Sequence, residues 1–204
     1  MIERFMRMSR NCQSRLWSRH VPGRRLQLLL LAAVWACWTL PCAGQTNGGD
    51  LEARVKAAYI YNFTKFVYWG EGMSGAPSSP ITIFVLGSDA VGDLLEKFAR
   101  TQTSGQPILV KKISTASDHL SSCRLLFVSR SAEKQLPEIF RQLRGTDVLT
   151  VSDISGFTRQ GGMIGFVIED ARVKIQINLQ AATTAGLKIS AKLLEIARIV
   201  SSED

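Results

Sequence analysis

The segment from Gly161 to Val200 constrains the fold more than any other part of the chain, because its side chains alternate twice in matching register. Ile164, Phe166 and Ile168 alternate with Met163, Gly165, Val167 and Glu169. Val173, Ile175 and Ile177 alternate with Arg172, Lys174, Gln176 and Asn178. Period-2 alternation of this kind marks two half-buried strands. A two-residue turn at Asp170 and Ala171 sets Ile168 against Val173, Phe166 against Ile175, Ile164 against Ile177 and Glu169 against Arg172, so both faces agree. Such a turn asks Ala171 for a positive φ, at a cost of roughly 1 kcal/mol for an L residue. A slightly longer loop is the alternative. Beyond the hairpin, an amphipathic helix is expected from about Ala181 to Ser201, broken near Gly186.

Upstream, helical and strand patterns follow one another. Asp50 to Trp69 reads as the first helix, with Asp50 as N-cap, Glu52 and Lys56 as an i,i+4 pair, and Tyr59, Phe63 and Phe66 on one stripe. Strands are expected at Ile81 to Gly87, Ile108 to Ile113, Leu125 to Ser129 and Val148 to Ser152. Helices are expected at Asp89 to Thr101 and at Ala132 to Leu143, the latter carrying Pro137 near its start. Gly70 to Pro80 is a loop. Repeated βα units with short apolar strands imply a mainly parallel sheet covered on both faces, and the late hairpin implies an antiparallel edge. The expected architecture is a three-layer α/β/α single domain with a C-terminal antiparallel hairpin.

Charge is unevenly spread. The net charge is +8, but seven basic residues and one acid precede residue 26, which leaves +6 in the leader and +2 in the body. A nearly neutral body removes nucleic acid as an expected partner. Arg24 and Arg25 are followed by the apolar run Leu26 to Leu40 and then by Pro41, Cys42, Ala43 and Gly44. Basic, apolar and small-residue regions in that order read as a cleaved signal peptide over residues 1–44, with cleavage after Gly44 or Ala43, and a domain over 45–204. The rivals fit less well. An uncleaved anchor wants roughly 20 apolar residues, and lipid attachment at Cys37 sits badly with Trp35. Export removes Cys12, Cys37 and Cys42, so Cys123 remains alone, at the entrance to an apolar run, and is expected to be a buried structural thiol.

Residues for catalysis are sparse in the body. His119 follows Asp118 on a polar stretch and reads as a surface histidine. Asp147, Asp153, Glu169 and Asp170 fall at strand ends and turns, where acidic residues are explained without chemistry. The glycines at 156, 161, 162 and 165 do not spell a dinucleotide fingerprint, and no phosphate loop or clustered metal ligands appear. No enzyme, cofactor or metal is expected.

Two blocks carry a resemblance. The first is Lys56-Ala57-Ala58-Tyr59-Ile60-Tyr61-Asn62-Phe63-Thr64-Lys65-Phe66-Val67-Tyr68-Trp69. The second runs from Gly161-Gly162-Met163-Ile164 through Ile177-Asn178-Leu179 to Ala185-Gly186-Leu187-Lys188-Ile189-Ser190 and Leu193-Leu194. With Leu149 to Asp153 between them, they resemble the bacterial YfiR-like family of periplasmic regulators, repressors of the YfiN diguanylate cyclase. The resemblance implies a non-enzymatic periplasmic protein that binds the extracytoplasmic sensor domain of an inner-membrane diguanylate cyclase or related receptor and lowers cyclic di-GMP. It also implies a homodimer, and sequestration by an outer-membrane lipoprotein. Phe157, Glu169 and Ile175 fall at positions that the family uses for activity and partner contact. Asn178 and Lys188 match the motif, and Tyr61, Phe66 and Trp69 complete the expected partner-binding set. The family pattern places a cysteine pair in the region where Val151 and Thr158 stand here, so redox sensing has no disulfide to rest on. The runner-up reading is a periplasmic small-molecule binding protein using a crevice at the strand carboxyl ends.

Overall fold

A computed structural model describes residues 48–70, 79–101, 106–116 and 119–201. The leader read over 1–44 and most of the 70–80 loop lie outside the described residues.

The first helix, α1, runs Gly48–Phe66. Its buried residues are Ala53, Lys56, Ala57, Ile60 and Phe63, a stripe at helical spacing that lies on the sheet. Asp50 sits inside the first turn rather than before it, and its carboxylate pairs with Arg54 at 3.1 Å. The helix ends three residues earlier than expected, because Val67–Tyr68 becomes a short strand, β1.

Next come β2 (Ile81–Leu86), α2 (Ala90–Thr101), β3 (Ile108–Ile113) and β4 (Leu125–Val128). The helix expected at 132–143 divides: a 3-10 turn covers Arg130–Gln135 and α3 covers Leu136–Gln142. Pro137 explains the division, since it suits a first helical turn and not an interior. β5 (Leu149–Ser152), β6 (Ile164–Glu169) and β7 (Arg172–Asn178) follow.

The long C-terminal helix is a correction. Residues 179–200 form α4 (Leu179–Thr184), β8 (Lys188–Ile189), α5 (Ala191–Glu195) and a further strand, β9 (Ala197–Val200). Three local effects cut the helix. Gly186 has φ +77, and Leu187 N–H donates to Ala182 O at 3.0 Å while Gly186 N–H donates to Thr183 O at 2.9 Å, which together close a Schellman end. Ser190 then caps α5 by accepting from Leu193 N–H. Last, Ile199 and Val200 are β-branched and find a partner strand in β7.

Among the described residues, seven strands form one sheet in the order β3-β2-β4-β5-β6-β7-β9. The first five are parallel, β7 is antiparallel to β6, and β9 runs parallel to β7. β1 and β8 pair separately, antiparallel. The hairpin register is the expected one, with Ile164, Phe166, Ile168 and Glu169 opposite Ile177, Ile175, Val173 and Arg172. Asp170 and Ala171 have φ 51 and 56, so the turn has two residues and both are left-handed.

Two cores sandwich the sheet. On one face α1 and α2 pack over Ile83, Val85, Leu125, Phe127, Ile164 and Ile177. On the other, Leu136 and Ile139 of α3 pack over Phe84, Leu126 and Val128. Tyr59, Phe63 and Phe166 stack with centroids 6.0–6.2 Å apart, fastening α1 to β6. The three-layer α/β architecture is therefore the one expected.

Candidate interaction surface

Along the hairpin, burial falls toward the turn. Ile164 and Ile177 are fully buried and Phe166 and Ile175 nearly so, whereas Ile168 is 49% exposed. β9 lies beside β7 and leaves Ile199 55% exposed, and Ile196 just before it is 60% exposed. On the opposite face, Arg198 Nη1 donates to the Glu169 carboxylate at 3.2 Å, so the charges of the hairpin tip and of β9 are tied together. Glu169 has Arg172 as its register partner, but its ion pair is with Arg198. An exposed pair of this kind adds little stability. Ile168 and Ile199 lie on the face away from those charges, at two separate register positions of β7, Val173 and Ile177.

Lys188 is exposed on β8, directly opposite Tyr68 on β1. The two sequence blocks thus meet, and Ser190 N–H donating to Phe66 O at 2.9 Å closes the join. Tyr61, Phe66 and Trp69 are half-buried and packed against the core. Lys65 Nζ sits 4.5 Å from the Tyr61 ring centre and the Arg124 guanidinium 5.9 Å from that of Trp69, so cations cover part of both rings. Tyr68 is the more accessible ring.

Three other candidates lie in the interior. The Phe157 ring packs against Phe140 with centroids 5.7 Å apart and fills the space where a Cβ on Gly162 would come within 2.2 Å. Ile175 is buried opposite Phe166, as its alternation requires. Asn178 is fully buried: its Oδ1 accepts from Ala181 N–H to cap α4, and its Nδ2 donates to Thr158 O at 2.9 Å. All three side chains are buried.

A further pairing joins the resemblance blocks in the interior. Lys56 and Asp153 are both buried, and Lys56 Nζ donates to Asp153 Oδ2 at 2.7 Å and to Glu52 at 2.5 Å. The expected Glu52 and Lys56 pair is present, but its significance is the buried extension to Asp153. Burial alone pushes the Lys56 ammonium pKa down; hydrogen bonds to Asp153 and Glu52 and their charges outweigh it and leave the value above the usual 10.5. Arg130 donates to the Asp153 backbone oxygen at 3.2 Å. The signal missed was position: Lys56 stands on the same stripe as Ala53, Ile60 and Phe63, where a lysine needs a partner. His119 is exposed. Cys123 is buried, its thiol donates to Leu120 O at 3.2 Å, and burial pushes its pKa up to about 12.

The comparisons agree with this architecture. No curated protein is similar to the chain. Among solved structures, the ABC domain in complex with L-Trp from Streptococcus pneumonia is similar, at 14% identity and a TM-score of 0.50, with 73% of this chain covered. The chain spans 60% of the length of that protein, and at this identity the likeness shows the fold alone. The family model described as YfiR/HmsC-like matches residues 53–198, from the second turn of α1 to the middle of β9. The chain belongs to the YfiR/HmsC-like family.

Proposed function

We propose that this chain is a non-enzymatic periplasmic regulator that binds the extracytoplasmic sensor domain of an inner-membrane diguanylate cyclase, holds it inactive and so lowers cyclic di-GMP. Family membership supports the class. The observation that carries the reading is the border formed by the hairpin tip and β9, which leaves Ile168 and Ile199 uncovered on one face and carries the Glu169–Arg198 pair on the other. Apolar residues at a sheet edge, with fixed charges on its other face, suit recognition of another protein. Repression by binding is a population shift, so the regulator must prefer the inactive sensor conformation over the active one. Glu169, Lys188 and the ring of Tyr61 are the expected contacts, with Phe66 and Trp69 backing them. By the same reading the regulator is a homodimer, and an outer-membrane lipoprotein competes for it.

Retention of an inner-membrane cyclase from the host's own membranes by the immobilised protein, with a fall in cellular cyclic di-GMP when the chain is overproduced, is the expected result. Glu169→Lys should weaken retention without unfolding, because it sets two cations side by side at Arg198. A folded Glu169→Lys protein with unchanged retention would remove the hairpin tip from the interface. Unaltered cyclic di-GMP on overproduction and on deletion would overturn the reading.

A further inference from the structure

We propose that the cleft beyond the carboxyl ends of β2 and β3, walled by the loop after β4, binds a compact neutral polyol such as a pentose, a hexose or a cyclitol. The inference rests on the cleft alone and stands or falls apart from the partner reading.

Topology places the cleft. β2 lies between β3 and β4, and the chain leaving β2 enters α2 on the α1 face, whereas the chain leaving β4 enters the 3-10 turn and α3 on the opposite face. Where successive connections part to opposite faces, a crevice opens outside the strand ends. Here it measures about 570 Å³, within the range of small-molecule sites. Its shape is fixed by backbone. Gly87 has φ +97, and a Cβ there would come within 2.2 Å of Ser129 Oγ and 2.5 Å of Ser131 Oγ, so the loop after β2 rests directly on the loop after β4. Ser88 N–H donates to Ser131 Oγ at 3.0 Å, which stitches the two loops.

The lining selects the chemistry. Ile113 supplies the accessible aliphatic surface, Val85 and Ala132 being buried, and Ser88, Ser114 and Asp89 supply the polar wall. The hydroxyls of Ser88 and Ser114 donate to no group among the described residues. Asp89 accepts from Val91 N–H with one carboxylate oxygen, at 3.0 Å, and has a second for a ligand hydroxyl. Gln135 accepts from Ala116 N–H and donates one amide N–H to Ser114 O, which leaves its second N–H for a ligand. An anion is disfavoured because Asp89 already occupies the N-terminal end of α2 and Asp93 lies in its first turn. The wall ammonium, Lys112, is engaged by Asp93 and lies 3.5 Å from Glu96. What remains is a set of hydroxyls, one amide N–H and a carboxylate oxygen beside the aliphatic side chain of Ile113, complementary to a molecule with hydroxyl edges and aliphatic faces.

Titrating the protein, purified as its host processes it, with D-ribose, D-glucose and myo-inositol while following backbone amide shifts tests the proposal. Saturable shifts at Ser88, Asp89 and Ser131 with at least one of the three are expected, at a Kd of about 1 mM or tighter, with inorganic phosphate moving none of them. Ser88→Ala combined with Ser114→Ala should weaken binding about tenfold while the remaining spectrum stays that of the folded protein. Absence of saturable shifts at those amides with all three compounds would overturn the proposal, as would a saturable response to phosphate. Neither result bears on capture of the cyclase.

Discussion

At one border of the large sheet β3 turns Lys111 and Lys112 to solvent, and Lys112 is held by Asp93 and near Glu96 on the neighbouring helix. At the other border β9 presents Ile199, with Ile196 just before it and Arg198 tied back to Glu169. A strand edge is a template for pairing with another chain, and charged side chains, lysine above all, are a common way to blunt it. β3 is blunted in this manner, although its Leu109 is also uncovered. β9 is short, which limits the hazard, and carries one cation, Arg198, next to the uncovered Ile199. By the proposed function, the β9 border is the one that meets the partner.

The largest effect on this contrast should come from the interior. α1 covers the β6 and β7 side of the sheet and is anchored by the buried pair of Lys56 and Asp153. Lys56→Ala leaves the buried Asp153 carboxylate with only Arg130, 3.9 Å away, as cation and should cost about 3 kcal/mol in urea unfolding. Replacing both residues together, as Lys56→Met with Asp153→Leu, should recover most of that loss, because an apolar pair carries no desolvation penalty. Amide exchange in Lys56→Ala should rise in β6, β7 and β9 before it rises in β2 and β3; a uniform rise would show that the two borders share one cooperative unit. The pH dependence follows from the direction of the Lys56 shift. Its folded pKa lies above the ordinary 10.5, so its contribution is complete below that pH and is lost as pH climbs through the folded value. Unfolding midpoints above pH 10.5 should therefore converge for the natural protein and Lys56→Met.

Exchanging the character of the two borders gives the next effect. Ile199→Lys places on β9 what β3 already has, and Lys111→Ile does the reverse. Both positions are exposed, so each variant should keep its stability to within about 0.5 kcal/mol. Retention of the proposed cyclase should fall about tenfold or more for Ile199→Lys, as for a residue central to an interface, and should be unchanged for Lys111→Ile. Sedimentation should instead show concentration-dependent self-association for Lys111→Ile, since an unblunted edge strand pairs with its like. Equal behaviour of the two variants would erase the distinction between the borders.

How much of this was legible in the sequence depends on whether a feature is local. The hairpin register was, because alternation on two short strands allows one pairing that buries Phe166 with Ile175 and Ile164 with Ile177. The parallel core strands were as well, as brief apolar runs. β9 was not. Its four residues follow a helical turn and look like that turn's continuation, and the pairing that makes them a strand is with β7, some twenty residues earlier in the chain. Ile196 and Ile199 were missed as surface residues for that reason. Lys56 and Asp153 are 97 residues apart and neither neighbourhood names the other, although a lysine on an apolar stripe already asks for a partner. Phe157 was singled out only by family position, and a ring that fills the void above Gly162 is a tertiary fact.

The smallest effect concerns the turn that carries Glu169 toward β9. Asp170 and Ala171 both take left-handed backbone angles, and aspartate tolerates them far better than alanine does. Glycine has no Cβ to oppose a positive φ, and a two-residue hairpin of this hand favours Asp-Gly. Ala171→Gly should therefore stabilise the domain by about 1 kcal/mol, less the extra entropy that glycine gives the unfolded chain. The turn is far from β3, so the gain should appear as slower exchange in β6 and β7 with β2 and β3 unchanged. If the natural alanine is kept for strain at the hairpin tip, partner retention should fall even as stability rises. If retention is unaltered, Ala171 is merely a tolerated residue, and the proposed contact depends on Glu169, Arg198 and the isoleucines alone.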